Sequence, residues 1–576
     1  MTTAAPQPKA PADVLTGADR AMLDQALEEL GHGAAAWARM GADERSQVLR
    51  QTHATIRDSA EQWAEAASAA KGTPVALAGE EWMSGPYVAL TTVAALADSL
   101  DAIAQGRSTV DGLTTGTAPG GRTTIKVLPT ELKETVLLHG FSAEIWTAPG
   151  VTAEQVRQRA GLGAARTGEN GGVGLVLGAG NITAIGPADV LYELVAHNRA
   201  SILKLNPTFA TLLPVLLQAF APLVEAGVLR IVNGAAAVGG YLARHPSVSH
   251  VHITGSGLTH DAIVWGTGSA STKRRATGTP LLGKPISSEL GGVSPIIVVP
   301  GKWSQADLRY QAEHVATQRL HNAGHNCIAG QALILSADWD QRDEFLDQLR
   351  RVLDEIPPRP PWYPGSDRKT AAAEASYPSA EQRTGRLLIE VTDSTSQDLL
   401  TTEYFAPVLG HTSLPGLDGD FLTNAVAFAN DRLEGSLGAS IIIDPRDRKE
   451  LGAKFDEAIA DLRYGAIGIN VWSAIAFLIP GLPWGAYPGN TLEQVGSGIG
   501  IVHNAHLIDA PERAVVAGPF RPSPRSLLHG ELALSPKPAW FVTARASTAT
   551  SKKLTSFAAD PAWRRLPGII ASASRG

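Results

Sequence analysis

The segment 321–331, His-Asn-Ala-Gly-His-Asn-Cys-Ile-Ala-Gly-Gln, contains Cys327, the single cysteine of the 576-residue chain. One thiol cannot form an intrachain disulfide, so it is a buried small hydrophobe, a metal ligand or a nucleophile. Gly324 and Gly330 allow close approach of the backbone, and His325 lies two residues before the thiol. A polar Asn-Cys step also fills a core poorly, and these surroundings favour a nucleophile.

A metal site is the alternative that uses the same segment. His321, His325 and Cys327 stand at i, i+4 and i+6 and could ligate a metal from one face of a helix. Gly324 interrupts such a helix, and no fourth ligand is near in the sequence. We therefore expect no metal and interpret His325 as a structural hydrogen-bonding group.

A carboxylate upstream could serve the thiol as a base. Glu289 lies in the segment 287–295, Ser-Ser-Glu-Leu-Gly-Gly-Val-Ser-Pro, just before an apolar run. A Glu followed by Leu-Gly-Gly resembles the general-base motif of the aldehyde dehydrogenase superfamily. That family places its nucleophilic cysteine a few tens of residues downstream, as Cys327 is placed here. Cys327 also matches the family's Asn-x-Gly-Gln-x-Cys pattern, with His325 where Gln is usual.

Short apolar runs alternate with helical stretches from Gly171 onward. The runs predict strands at 173–177, 200–205, 228–232, 248–253 and 295–299. Strands that are apolar along their whole length and are joined by helices predict a doubly wound parallel sheet with both faces covered. In such a sheet a nucleotide binds at the carboxyl ends of the strands.

The turns after these strands carry glycine and polar residues. Asn181 follows the first strand and Lys204 lies near the end of the second. Gly255 and Ser256 follow the fourth and lead into a helix start that could present N–H groups to a pyrophosphate. Each turn alone is a weak signal, because glycine-rich turns are common in α/β folds. Their order and spacing are more specific and are similar to the aldehyde dehydrogenase pattern.

The resemblance covers roughly 123–508 and implies three catalytic residues: Cys327 as nucleophile, Glu289 as general base and Asn181 as oxyanion donor. The chemistry agrees with these types. A thiolate can add to an aldehyde, and the adduct can give up hydride to a nicotinamide. An amide donor stabilises the oxyanion, and a carboxylate can activate water against the thioester that results.

The resemblance also implies NAD or NADP as cofactor. Lys204 matches the lysine at the adenosine ribose, and Gly255 and Ser256 match the turn beside the pyrophosphate. The segment 403–408, Glu-Tyr-Phe-Ala-Pro-Val, is similar to the family's Glu-x-Phe-Gly-Pro-Val. Its first residue, Glu403, is implied at the nicotinamide ribose, and Phe405 belongs to the same cofactor site.

Three departures from the family pattern affect these implications. Ala179 and Gly180 stand where Pro-Trp is usual before the asparagine, and Ala406 replaces a glycine. Pro207 stands three residues after Lys204, where NAD-preferring relatives often carry a glutamate. Because that glutamate repels a 2′-phosphate, its absence leaves NADP open.

The fold class expected from these patterns is α/β: an aldehyde-dehydrogenase-like chain with a Rossmann-type doubly wound parallel sheet, a second α/β catalytic domain and a bridging β-ribbon. The ribbon includes apolar runs at 124–128, 136–138 and 143–146, and the segment 266–285 is expected to be a solvated loop. The predicted segments are a disordered tail at 1–16, an N-terminal helical part of the cofactor-binding domain at 17–122, the bridging and oligomerisation ribbon at 123–148, the dinucleotide-binding domain at 149–299, the catalytic domain at 300–490, a return to the bridging region at 491–520 and a C-terminal extension at 521–576, with a helix near 550–557.

Composition sets the outer limits. With 44% hydrophobic and 18% charged residues, the chain can bury more than one core. A net charge of −7 is mild for this length and argues against a nucleic-acid partner. The segment 474–482 is taken as the most apolar one and is too short to span a bilayer. Without a secretory pattern at 1–13 we expect a cytoplasmic protein, and the resemblance implies a homodimer or homotetramer.

The expected activity is oxidation of an aldehyde to the carboxylic acid through a cysteine thiohemiacetal and thioester, with hydride transfer to NAD(P). In relatives the loop matching 471–488 borders the aldehyde channel, so its apolar residues suggest a hydrophobic substrate; ordinary core packing explains them equally well. One alternative is a coenzyme A-acylating dehydrogenase or acyl-CoA reductase on the same fold. Another is a non-catalytic scaffold or assembly protein that uses the extension for binding.

Overall fold

The computed structural model describes residues 15–576. Residues 1–14 of the predicted tail therefore lie outside the described part of the chain. Thr16 is described and caps the first helix: its hydroxyl accepts from the Asp19 backbone N–H, and the Asp19 carboxylate accepts from the Thr16 N–H. This reciprocal capping box satisfies two N–H groups at the helix start.

The N-terminal helices are α1 (Gly17–Arg39), α2 (Ala42–Lys71), α3 (Gly79–Trp82) and α4 (Val88–Ala104). A π-helical turn at Met83–Tyr87 joins α3 to α4 and contains Pro86, which has no N–H to donate. Within the described part of the chain, one helical stretch, Val75–Ala104, is long and apolar enough to cross a membrane by length and composition alone. The sequence-based choice of 474–482 as the most apolar segment missed this stretch. More than half of its most apolar window is buried, and α4 packs on α2 in the main core.

The ribbon consists of β1 (Thr114–Ala118), β2 (Arg122–Leu128), α5 (Leu132–Leu137) and β3 (Ser142–Thr147), followed by α6 (Ala153–Arg159). Its three strands are antiparallel. The strands β2 and β3 correspond to the runs predicted at 124–128 and 143–146, whereas β1 lies before the predicted ribbon. The apolar run predicted as a strand at 136–138 is wrong, because most of it belongs to α5. The Glu134 carboxylate accepts from the backbone N–H groups of Thr130 and Glu131 and starts this helix.

The dinucleotide-type unit runs through β4 (Val173–Leu177), α7 (Ile185–His197), β5 (Ala200–Lys204), α8 (Leu213–Ala219), α9 (Ala221–Glu225), β6 (Leu229–Val232), α10 (Ala236–Arg244), β7 (Val248–Gly255), α11 (Gly257–Val264), α12 (Ser269–Ala276) and β8 (Ile286–Leu290). Its strands are parallel in the order β8-β7-β4-β5-β6. The predicted doubly wound parallel sheet is confirmed. The expectation of a loop at 266–285 is wrong over α12. The last turn of this helix carries Lys273, Arg274 and Arg275, whose positive charges interact favourably with the negative end of the helix dipole.

The second unit contains β9 (Ser294–Val298), α13 (Gln305–Leu320), β10 (Gly330–Ser336), α14 (Arg342–Glu355), α15 (Ser366–Ser376), β11 (Glu381–Arg383), β12 (Arg386–Glu390), α16 (Asp398–Thr401), β13 (Val408–Leu414), α17 (Asp418–Arg432), β14 (Gly438–Ile442), α18 (Pro445–Leu451), α19 (Ala453–Asp461), β15 (Ala466–Ile469), β16 (Pro483–Gly485), β17 (Gly498–Ile499), β18 (Ile501–His503) and β19 (Pro511–Ala517). One eleven-stranded sheet runs β1-β2-β3-β19-β15-β14-β9-β10-β13-β12-β11. The strand β17 pairs with β8 and adds a sixth strand to the other sheet, while β16 and β18 pair with each other.

The fifth predicted strand, 295–299, corresponds to β9 but belongs to the eleven-stranded sheet, between β14 and β10. The last parallel strand of the dinucleotide-type sheet is instead β8, which carries Glu289. Gly291 and Gly292 turn the chain from one sheet to the other. The remaining residues form α20 (Arg525–Leu528), α21 (Ser547–Ala559), which contains the helix predicted near 550–557, and α22 (Leu566–Ala573).

Candidate active site

The loop that carries Cys327 begins where α13 ends at Leu320. Asn322 and Ala323 have left-handed φ angles of 54° and 55°, and Gly324 follows with 83°. Such angles are unfavourable for residues other than glycine. At Gly324 a Cβ atom would lie 2.9 Å from the carbonyl carbon of Ala406, so this position also has no room for a side chain.

Buried polar contacts hold this loop in place through Asn322. Its backbone N–H donates to Glu80 Oε2 (3.1 Å), and its Nδ2 donates to the carbonyl oxygens of Asn181 (3.1 Å) and His325 (3.0 Å). Lys71 Nζ donates to its Oδ1 (3.3 Å). The catalytic-loop conformation is thus tied to α2 and α3, a connection that the sequence did not reveal.

Cys327 and Glu289 are neighbours. Glu289 is on β8, is 2% exposed and lies close enough to the Cys327 thiol for each group to shift the pKa of the other. Burial raises the pKa of Glu289 to about 8. Burial and the neighbouring Glu289 carboxyl raise the pKa of the Cys327 thiol above its ordinary value. The structure therefore places the predicted nucleophile and base side by side, with the thiol in its neutral form until the base removes the proton.

A second buried acid–base pair lies beside Glu289. Asp189 Oδ2 is 3.3 Å from His252 Nε2 and accepts a hydrogen bond from Thr254 Oγ1 (3.0 Å). Thr254 is the register partner of Glu289 across β7 and β8. The negative charge of Asp189 adds to the upward shift of the Glu289 pKa. Sequence reasoning missed this pair, although the alternation of His250 and His252 along one strand face was a visible signal.

Asn181 follows β4 and is buried. Its Nδ2 donates to the backbone carbonyl of His325 (3.1 Å). An amide nitrogen has two N–H groups, so one can still donate to an oxygen atom of a bound molecule. Asn181 and Cys327 line the same cavity, and the structure thus brings the third predicted catalytic residue to the first.

That cavity, here called the thiol cavity, has a volume of about 70 Å³. Its wall is mainly apolar and aromatic, with contributions from Ile182, Trp472, Phe477, Leu478, Trp484 and Trp540. Four of these belong to the loop 471–488 that the sequence singled out, whereas Trp540 comes from the C-terminal extension and was not predicted.

The two histidines of the loop have packing roles. His325 Nε2 lies 3.0 Å from Ser366 Oγ, and burial lowers the pKa of this imidazole to about 3. Its ring contacts Trp362, Tyr363 and Phe405, at centroid distances from 5.3 to 5.7 Å. His321 packs on Trp472 in the wall of the thiol cavity. Over residues 15–576, no three His, Cys, Asp or Glu side chains are grouped so that they could hold a metal ion.

Glu403 lies close enough to Cys327 and Glu289 for its charge to raise the pKa of both groups. A Cβ atom on Gly291 would overlap the Glu403 carboxylate, which explains why the turn after Glu289 needs a glycine there. Burial raises the pKa of Glu403 to about 7, and its Oε1 has no hydrogen-bond partner within the described chain. Lys369, which sequence reasoning missed, donates to the Glu403 carbonyl (3.1 Å) and lies 5.7 Å from the Phe405 ring centroid.

The remaining predicted cofactor residues lie at the carboxyl edge of the parallel sheet. Lys204 ends β5, Gly255 ends β7, and the Ser256 hydroxyl caps α11 by accepting from the Thr259 N–H (3.3 Å). A Cβ atom on Gly257 would meet nothing within 4 Å, so the space in front of α11 is open. An open helix start beside parallel strands, together with the unpaired Glu403 oxygen, fits a dinucleotide.

Comparisons with known proteins match the part of the chain that contains these residues. The model of the aldehyde dehydrogenase family matches residues 139–382, which include Asn181, Lys204, Glu289 and Cys327. Aminoacetaldehyde dehydrogenase of Pseudomonas aeruginosa is 28% identical over 234 residues, or 37% of this chain and 43% of that protein. Chloroplastic betaine aldehyde dehydrogenase of Amaranthus hypochondriacus is 27% identical over 270 residues, or 42% of this chain and 48% of that protein. The matched part thus spans less than half of the length of either relative.

Solved structures extend the likeness to most of the chain. Gamma-glutamyl-gamma-aminobutyraldehyde dehydrogenase from Burkholderia cenocepacia has a TM-score of 0.57 at 20% identity, covering 86% of this chain and 88% of that one. A mutant aldehyde dehydrogenase C from Pseudomonas syringae, in complex with NAD⁺ and octanal, has a TM-score of 0.58 at 20% identity, covering 87% and 90%. These structures show the fold. Residues 139–382, less than half of the chain, are thus similar to the aldehyde dehydrogenase family, and the fold is shared over most of the chain.

Proposed function

We propose that this chain oxidises an aldehyde to the carboxylic acid with NAD or NADP as hydride acceptor. The observation that carries the proposal is the buried Glu289 carboxyl beside the Cys327 thiol, which lines a cavity together with Asn181. The family relationship supports the same reaction class.

In the proposed first step, Glu289 takes the thiol proton while the sulfur bonds to the carbonyl carbon. The carbonyl oxygen becomes an oxyanion and accepts hydrogen bonds from Asn181 Nδ2 and the Cys327 backbone N–H. Losing one such donor typically costs about 3–4 kcal/mol of transition-state stabilisation. A dinucleotide held by Lys204 and Glu403 would supply the acceptor for the hydride that leaves the carbon.

Hydride loss leaves a thioester on Cys327. Glu289 releases the proton of the thiol to the solvent and then takes a proton from a water molecule as the water oxygen attacks the thioester carbon; this second proton later returns to the sulfur. The carbon–sulfur bond then breaks, the acid leaves, and the thiol is regenerated. A buried carboxyl beside the thioester suits water as acyl acceptor. Coenzyme A is the alternative acyl acceptor, and turnover measured with and without coenzyme A distinguishes the two.

The other attributes of the protein belong to the same proposal. The apolar lining of the thiol cavity supports an aldehyde with an apolar body. A homodimer or homotetramer through the ribbon is supported by β1, which is the exposed edge strand of the eleven-stranded sheet. A cytoplasmic location agrees with a chain whose lone cysteine is free.

The first prediction concerns the nucleophile. Cys327→Ala is expected to reduce formation of reduced nicotinamide by at least about a thousandfold, because no other group replaces the thiolate. The assay follows absorbance at 340 nm with NAD and NADP in parallel and a panel of aldehydes that includes aminoacetaldehyde and betaine aldehyde.

Binding of the nucleotide, measured by calorimetry, is expected to persist in Cys327→Ala. Undiminished turnover in this variant would overturn the mechanism. An absolute requirement for coenzyme A in the wild-type protein would replace water by that thiol as acyl acceptor. No turnover by the wild-type protein with any aldehyde or acceptor would refute the proposed function.

A further inference from the structure

Trp540 connects the C-terminal extension to the catalytic centre. It lies in the wall of the thiol cavity, which Cys327 and Asn181 also line. Its ring packs edge-on against Phe141 with a centroid distance of 5.9 Å. Its Nε1 is buried and has no hydrogen-bond partner among residues 15–576. Buried N–H donors are normally paired, so the unpaired indole N–H is an exception to that pattern.

The residues around Trp540 fix it on α13, the helix that leads into the catalytic loop. Lys537 Nζ lies 2.7 Å from Glu313 Oε2, and the Val542 N–H donates to Thr317 Oγ1 (3.2 Å). Phe541 stacks on Tyr310 at a centroid distance of 5.2 Å. The segment 537–542 is therefore anchored on both sides of the tryptophan, and the indole is held in place rather than resting loosely on the surface.

The extension also supports a second part of the cavity wall. The backbone N–H of Gly79 donates to Thr548 Oγ1 (3.1 Å), and Thr555 Oγ1 donates to the Trp82 carbonyl (3.4 Å). Both contacts join α21 to α3 and the turn after it. Glu80 and Met83, in these same elements, line the thiol cavity. Residues 521–576 thus contribute one wall directly and brace another.

We propose that Trp540 is a specificity-determining residue that closes the thiol cavity and restricts the enzyme to short aldehydes. A cavity of about 150 Å³ can hold a benzene molecule. The thiol cavity is about half as large, at about 70 Å³. Aldehydes of about two to four carbons match that space, whereas longer chains need the volume that the indole fills. The identity of the substrate rests on the proposed function, but the steric role of Trp540 does not.

The kinetic test uses the full chain and the unbranched aldehydes from acetaldehyde to octanal. In the wild-type protein, kcat/KM is expected to fall at least tenfold from butanal to octanal. Trp540→Ala should raise kcat/KM for octanal at least tenfold, mainly through KM, and Trp540→Phe should lie between the two. Trp563→Ala is the matched control, because Trp563 is in the same extension, is 51% exposed and is not in the cavity wall. Its chain-length profile should equal that of the wild type.

A second readout does not depend on turnover. Because Cys327 is the single cysteine, alkylation of the intact protein can be followed by mass as one added group. The test compares a bulky reagent, N-cyclohexylmaleimide, with a small one, iodoacetamide, at pH 9. Trp540→Ala should raise the ratio of the bulky-reagent rate to the small-reagent rate at least tenfold. Trp563→Ala should change neither rate. Equal relative rates in folded wild-type and Trp540→Ala proteins would overturn the proposal. If the wild type oxidises no aldehyde while the labelling ratio shifts, the proposed function fails and the steric role of Trp540 stands.

Discussion

At the residue scale, the proposed chemistry depends on where one proton resides. Glu289 is buried between β7 and β17, and its pKa near 8 means that the carboxyl is largely protonated at pH 7. The thiol beside it is also neutral, because burial and the carboxyl raise its pKa. A base that is half ionised near pH 8 combines availability with sufficient proton affinity. Loss of the proton of the Glu289 carboxyl therefore converts the resting pair into the active form.

This arrangement predicts the pH dependence. Since only the ionised Glu289 can accept a proton, kcat/KM should rise with pH up to about 8, at about tenfold per pH unit in the limit well below that value. The profile is measured from pH 6 to 10 with saturating nucleotide.

Glu289→Gln should lower the rate and remove the rise near pH 8. As a control, Glu61→Gln changes an exposed carboxylate on α2 and should leave the profile unaltered. A wild-type rate that is constant between pH 6 and 9 would contradict the assigned base.

At the element scale, the catalytic loop has an unfavourable backbone that its neighbours stabilise. Left-handed residues other than glycine cost on the order of 1–3 kcal/mol each, and Asn322 and Ala323 are two of them. Glu80 on α3 accepts the Asn322 N–H and pairs with Arg359 at 2.8 Å, with both side chains at least nine-tenths buried. This ion pair connects α3 to the Pro-rich link after α14.

Glu80→Gln is therefore predicted to destabilise the protein. The substitution leaves the buried Arg359 without its counter-charge, which typically costs about 3–5 kcal/mol. The measurement is the urea midpoint at pH 7. Glu61→Gln is the matched control, because Glu61 pairs with Lys552 at the surface and such pairs contribute about 0–1 kcal/mol. Equal midpoints for the two variants would show that the loop does not depend on Glu80.

The elements that could be predicted are those with a strong local pattern. The strand at 173–177 was predicted with its observed bounds, because a fully apolar run between glycine-rich turns has few other solutions. The run at 136–138 was wrong, because the Glu134 cap determines the local structure and cannot be weighed from hydrophobicity alone. The Cys, Glu and Asn of the candidate site could be named from motifs. Lys71, Glu80 and Trp540 could not, since their contacts with the site join residues far apart in the sequence.

At the scale of the whole molecule, the active site lies where the two sheets meet. Glu289 comes from the last parallel strand of the six-stranded sheet, and Cys327 from the connection between α13 and β10 of the eleven-stranded one. The C-terminal extension begins at the second unit and continues to α3. Its anchor is Arg521, which is 2% exposed and contacts the carboxylates of Asp307, Asp444 and Glu531.

Arg521→Gln is predicted to release the extension. Three carboxylates would lose the buried cation they share, and breaking such a network typically costs about 3–5 kcal/mol. The ion pairs and the Ser304 hydrogen bond hold the pKa of Asp307 below its ordinary value of 3.8 in spite of burial. This stabilisation is present above the unfolded-state pKa and is lost as the pH falls through the lower folded-state value. The difference in stability between wild type and variant should therefore be large at pH 7 and shrink below about pH 4.

Limited proteolysis at pH 7 tests whether the destabilisation is local to the extension. Arg521→Gln should be cleaved within 521–576 before the remainder of the chain, and labelling of Cys327 by the bulky maleimide should then accelerate, because Trp540 is carried on the released segment.

Arg564→Gln is the control: Arg564 pairs with Asp560 in the same extension, but 74% of its side chain is exposed, so less than about 1 kcal/mol should be lost. A variant that is cleaved no faster than this control, with an unchanged rate of labelling, would mean that the extension stays on the body of the protein without its buried cation. The packing of Phe541 and α21 would then be sufficient to keep the cavity closed.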